Sequence, residues 1–136
     1  MRLWYSQNCS LESGDSLVKI HGNWCGPNWT GGKKVPADEY TGPWDGPAIS
    51  PLDKCCRSHD KGCSSGQCSK ADDTRLIACA RKRILSDGDQ LWMTVQLANP
   101  FLDKKKRKEI NNRIKESQDA ELVVTGIEIA RIFRRT

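Results

Sequence analysis

PLDKCCRSHDKGC, residues 51–63, gathers two adjacent cysteines (Cys55 and Cys56), a histidine (His59), an aspartate (Asp60) and a closing cysteine (Cys63) into one short segment. If Ser50 or Asp53 caps a helix here, Cys56 and His59 stand three residues apart and Cys56 and Asp60 four, so the three share a face. A disulfide from that face would clamp the surface that carries the histidine. A neutral imidazole beside a carboxylate can activate a water or bind a metal. The segment by itself leaves both open.

The flanking sequence is turn-rich on one side and helical on the other. His21 to Lys34, HGNWCGPNWTGGKK, is dense in Gly and Pro, which is turn chemistry. Glycines let a backbone reverse so that successive carbonyls point at one centre, as loops that bind hard cations require; the same composition also suits a plain surface loop over packed tryptophans. His21 is expected at the surface. Val35 to Ser50 reads as a long loop and the least regular part of the chain. Beyond a short turn between Cys63 and Cys68, Ala71 to Leu85 has the partial 3.6-residue period of a second helix, with Asp72 and Asp73 in its first turn where the helix dipole favours acids.

Further on, Gly88 to Phe101 is an apolar segment closed by Asn99 and Pro100. Asp103 to Ser117 contains KKKRK and predicts a basic, mostly exposed helix with Ile110 and Ile114 on one side. Ala120 to Phe133 is apolar, with Gly126 as an expected break. At the other end residues 1–20 show no clear period, Leu17 to Ile20 being at most a short strand. No repeat or low-complexity tract occurs.

The chain has 136 residues, enough for one domain with a modest core. Hydrophobic content of 37% and mean hydropathy of −0.66 make that core lean, and seven cysteines can staple it. Zinc is disfavoured because paired C-x-x-C spacing is missing. Disulfides imply an oxidising setting: secreted, extracellular or on a particle exterior. Met1 to Ser10 lacks the apolar run of a signal peptide, so a mature product or a fragment of a precursor is expected. No stretch approaches a membrane span, which predicts a soluble chain. The net charge of +5 lies wholly C-terminal to residue 80: residues 1–80 balance nine basic against nine acidic side chains, and residues 81–136 carry thirteen against eight. Such a half suits an anionic partner, lipid or nucleic acid, and equally a solvated helix face.

Together, W-C-G-P at residues 24–27, D-x-C-C-R-x-H-D at residues 53–60 and the acidic helix start at 72–73 resemble the secreted phospholipase A2 family, the bee-venom-like group most closely. The resemblance covers residues 21–85. It implies a mainly α, disulfide-stapled domain over residues 1–136, in which two antiparallel helices carry the active site beside a calcium-binding loop. Residues 86–136 form a basic extension outside the resemblance. It further implies that His59 is the general base for a water attacking the sn-2 ester of a phospholipid. Asp60 would be the side-chain ligand of a Ca2+ cofactor, with backbone carbonyls of Trp24, Gly26 and Asn28 completing the set and the Gly26 amide as an oxyanion donor.

The family aspartate that orients the histidine is followed by small or apolar residues three and four positions later and by a cysteine six later. From Asp73 those are Leu76, Ile77 and Cys79, so Asp73 matches and Asp72 does not. The implied disulfides are Cys25–Cys56, Cys55–Cys79 and Cys63–Cys68, leaving Cys9 over. Three departures from the family pattern stand out. Asn28 replaces a glycine, although asparagine tolerates left-handed backbone angles. The cysteine that usually falls at position 62 is Gly62 here, with Cys63 after it. The long gap from Cys25 to His59 makes Val35 to Ser50 an insertion.

The expected activity is thus calcium-dependent phospholipid hydrolysis at an anionic membrane surface, with Trp24, Trp29, Trp44 and Trp92 as candidate interfacial anchors. A non-catalytic membrane-binding or toxin-like module on the same fold is the alternative. Nucleic-acid binding through KKKRK has charge alone behind it and is not expected.

Overall fold

The computed structural model describes residues 19–66 and 68–134. Among them are four α-helices and no strand: α1 (Pro51–Gly62), α2 (Lys70–Arg81), α3 (Asp87–Leu97) and α4 (Lys104–Arg134), with a 3-10 turn at Ala37–Glu39 and isolated bridges His21–Cys25 and Thr30–Lys33. Of the proposed strand at Leu17 to Ile20, Lys19 and Ile20 are not in a strand and the first two residues lie outside the described residues, as does Cys9. Three disulfides join Cys25 to Cys56, Cys55 to Cys79 and Cys63 to Cys68. Among the described residues no helix is long and apolar enough to cross a membrane.

α1 begins where the local chemistry directs. Ser50 is the N-cap, its Oγ accepting from Asp53 N–H, and Pro51 occupies the first turn, where a missing N–H costs nothing. Leu52, Cys55, Cys56, His59 and Asp60 are all buried along one side. α2 opens on a capping box in which Ser69 and Asp72 satisfy each other's backbone N–H groups. It ends at Arg81, four residues short of the periodic pattern. α1 and α2 run antiparallel: the contacts Cys55–Cys79, His59–Asp73 and Gly62–Asp72 pair ascending residues of one with descending residues of the other. A Cβ at Gly62 would meet the Asp72 carboxylate at 2.5 Å. The capping side chain therefore occupies the space a residue at 62 would need, and the bridge to Cys68 starts from Cys63.

The C-terminal region differs most from expectation. Lys104 to Arg134 is a single 31-residue helix, and Gly126 does not interrupt it. A mid-helix glycine costs only about 1 kcal/mol relative to alanine, whereas Val123, Val124, Ile127 and Ala130 around it are buried. These residues share one core cluster with Trp24, Leu52, Leu76, Ile77 and Ala80. Burial on both sides of the glycine outweighs its local preference. The basic N-terminal half is largely exposed, as expected, with Ile110 buried and Ile114 half-buried beneath it.

Trp24 centres the loop region. Its ring packs against Tyr40 and Trp44 at centroid distances of 5.7 and 5.8 Å, and its Nε1–H donates to the Pro47 carbonyl (2.9 Å). Irregular though it is, Val35 to Ser50 is thereby folded over a buried indole. Trp24 belongs to the core rather than to an exposed interface.

Candidate active site

The turn at residues 21–28 is held to α1 by two independent ties. The first is Cys25–Cys56, one helical turn ahead of Asp60. The second is Asp53, wholly buried, whose carboxylate accepts from the backbone N–H groups of Asn23 (3.0 Å), Trp24 (2.8 Å) and Ile49 (3.0 Å). Gly22, at φ 61°, makes this possible, since a Cβ there would collide with that carboxylate. Asp53 is thus a bracket between the turn and the helix. The motif marks it only as a possible cap, because two of its three partners, Asn23 and Trp24, lie about thirty residues upstream.

His21 is buried rather than at the surface. Its Nδ1 is 2.8 Å from Asp119 Oδ2 and its Nε2 2.7 Å from Ser50 Oγ, while Lys115 Nζ reaches Asp119 at 2.6 Å. One turn of α4 supplies the rest of this junction: Glu116 accepts from Leu52 N–H (2.9 Å) and from Arg83, and Ser117 Oγ accepts from Leu85 N–H (2.8 Å). Burial alone would raise the Glu116 carboxyl, but the bonds from Arg83 and Leu52 N–H and the charges of Arg83 and Arg113 outweigh it and hold it below its ordinary value. The Ser50, His21, Asp119 series has the order of a nucleophilic triad without its electrophilic half. Leu52 N–H is bound to Glu116 and Asp53 N–H to Ser50 itself, so neither amide is left to receive an oxyanion. Its role is to lock three segments together.

The other histidine sits in a different setting. His59 Nε2 is 2.8 Å from Asp73 Oδ1, and both side chains are buried. Asp72, the rival candidate, faces away into the Ser69 cap and the Arg75 guanidinium (2.7 Å). Against the desolvation that would raise it, the Ser69 and Arg75 contacts hold the Asp72 carboxyl below its usual range. With Nε2–H donated to Asp73, the Nδ1 lone pair is the basic position of the imidazole. A cavity of about 480 Å³ between α1 and α2 reaches His59 and is lined by Lys54, Ser58, Asp72, Arg75, Leu76 and Lys82 among others.

Asp60 is wholly buried on the same side of α1 as Cys56, where Cys25 anchors the turn. Gly26 and Asn28 adopt positive φ of 146° and 56°, and the Gly26 carbonyl accepts from Trp29 N–H at 3.3 Å. Asn28 therefore takes the left-handed conformation that a glycine would otherwise supply. A carboxylate and main-chain carbonyls are the hard oxygen donor types that a hard divalent cation takes, although none of Trp24, Gly26, Asn28 or Asp60 lines the cavity at His59. His59, Cys63 and Cys68 also bring a ring nitrogen and two sulfurs within 4.8 Å of one another, the one such cluster among the described residues. Those sulfurs are joined in a disulfide, however, and have no thiolate to offer a metal.

No protein-family model, curated protein or solved structure matches this chain.

Proposed function

We propose that the protein is a calcium-dependent phospholipase A2, hydrolysing the sn-2 ester of phospholipids with a water activated by His59. The observation that carries this reading is the buried His59–Asp73 hydrogen bond (2.8 Å) between two disulfide-linked helices, with His59 alone of the pair lining a cavity. Asp73 fixes the tautomer by accepting from Nε2–H, so Nδ1 takes the proton as the water oxygen attacks the ester carbonyl. His59 then returns that proton to the departing lysophospholipid alkoxide. The Gly26 amide serves as an oxyanion donor. Asp60 and the carbonyls of Trp24, Gly26 and Asn28 hold calcium, which when bound supplies Lewis-acid polarisation of the ester. Lys54 and Lys82 line the cavity beside His59 together with the ion-paired Arg75 and Asp72, and the two lysines suit a phosphate-bearing substrate. The three disulfides are consistent with action outside the reducing cytosol.

The test is fatty-acid release from phospholipid vesicles with calcium and with chelator. Chelation and His59→Ala should each abolish release while leaving the fold intact. Activity that survives in either condition would sink the mechanism, and vesicle binding with no hydrolysis at all would identify a non-catalytic module instead.

A further inference from the structure

α3 is apolar on two sides, and only one of them is packed. Met93 and Leu97 are half-buried on the side that meets α4, whereas Leu91, Trp92 and Val95, at spacings of three and four, are 65%, 62% and 53% exposed. α3 has no fully buried residue. Phe101, in the turn to α4, is 90% exposed. Next to it begins the run Lys104, Lys105, Lys106, Arg107, Lys108, whose four lysines are all exposed.

The arrangement is built, because Arg107 is the one member of the run that turns inward. Its guanidinium donates to the carbonyls of Leu97 (2.7 Å) and Asn99 (2.8 Å), closing the last turn of α3 and fixing the lysines beside Phe101. Among nearby acids, Asp103 is engaged at the start of α4, accepting from Lys106 N–H (3.2 Å), Asp87 and Asp89 lie at the far end of α3, and the exposed Glu109 directly after Lys108 offsets one of the five charges of the run.

We infer that the α3–α4 hairpin is a membrane-docking surface for anionic phospholipid bilayers. Leu91, Trp92, Val95 and Phe101 enter the headgroup and acyl boundary while Lys104, Lys105, Lys106 and Lys108 meet lipid phosphates. Charge decides between occupants. A second copy of the chain would bring its own lysines against these, and a nucleic acid would leave the aliphatic row without a partner. The surface gives the proposed hydrolase its access to lipid and to that extent rests on that reading, although binding requires no catalysis.

The test uses full-length His59→Ala protein with calcium, sedimented with vesicles of phosphatidylcholine alone or of equal parts phosphatidylcholine and phosphatidylglycerol. The parent should prefer the mixed vesicles. Trp92→Ala with Phe101→Ala should weaken that binding at least tenfold, and replacing the four lysines by glutamine should reduce it to the level on phosphatidylcholine. Unchanged binding in either variant would overturn the inference. So would a parent dimer that the aromatic variant converts to monomer, or a lowered thermal midpoint in that variant, which would show the face to be packed. In the His59 background hydrolysis is silent, so the same substitutions are also placed in the wild-type chain. There they should abolish release from vesicles and leave hydrolysis of a monomeric short-chain phospholipid at the parental rate. Vesicle binding by a chain inert on both substrates leaves the docking surface standing and removes the hydrolase.

Discussion

At the scale of single residues, neighbouring acids have been given separate tasks by their hydrogen bonds. Asp73 turns inward to His59 and Asp72 outward to the α2 cap, although one peptide bond separates them. Asp73→Asn should therefore act through the imidazole, as a positioning change: turnover falls by about 10²-fold or more, within the range general-base catalysis supplies, while vesicle binding stays at the parental value. Asp72→Asn should leave turnover unchanged. Equal losses from both would show that the acids serve only α2. Glu116 is one residue, beside the more exposed Asp72, through which pH acts on the fold. Its folded carboxyl is held below the unfolded value by Arg83, Leu52 N–H and Arg113, so its contribution is full above about pH 4.3, the unfolded carboxylate value, and is lost as pH falls through the folded one. Glu116→Gln should cost about 1–3 kcal/mol at neutral pH and flatten the acid limb of a urea-unfolding profile; a profile parallel to the parent's would remove Glu116 from that role.

At the scale of elements, the α1–α2 pair was legible in the sequence because its information is local. A cap, a proline in the first turn, adjacent cysteines and a histidine at helical spacing all lie within one stretch, whereas local chemistry gave Asp72 and Asp73 the same dipole role and only the family resemblance chose Asp73. Asp53, His21 and Asp119 were not legible in this way. The partners that give them their tasks lie from about thirty to nearly one hundred residues distant, Asn23 and Trp24 for Asp53 and the His21–Asp119 pair, and periodicity carries no information at that range. The turn at residues 21–28 depends on both of its ties. Removing the Cys25–Cys56 bridge by paired substitution to serine opens a loop with a sequence separation of 31, for a cost of about 3–4 kcal/mol. Asp53 still holds Asn23 and Trp24, so the paired variant should fold but unfold at lower urea. On the proposed calcium reading, equal stabilisation of variant and parent by calcium would show that Asp53 alone suffices to shape the turn; a weaker response of the variant is the expected result.

At the scale of the whole molecule, the basic C-terminal half turns out to complete the core while presenting its charge at the other end. The segment from Ala120 to Ala130 buries Ala120, Val123, Val124, Ile127 and Ala130 against the cluster around Trp24 and Leu76, and the Glu116 to Asp119 turn joins the start of α1, the end of α2 and the loop at His21. Sequence reading divides this helix at Gly126 because a propensity is a statement about one residue, whereas the decision rests on four buried neighbours from a single face. Burying two valines and an isoleucine fully contributes about 1.5–3 kcal/mol each, which approaches the entire stability of about 5–15 kcal/mol expected of a domain this size. Deleting residues 104–136 should therefore abolish cooperative thermal unfolding, even with the three disulfides formed, and Ile127→Ala in the full chain should cost about 2–5 kcal/mol. A truncated chain that melts cooperatively would show that residues 19–103 fold without α4. Because deletion also takes away the lysines of the hairpin, membrane binding cannot be assigned by truncation. The point substitutions at the hairpin surface, which leave every core residue in place, are the ones that separate the helix that builds the fold from the face that meets the lipid.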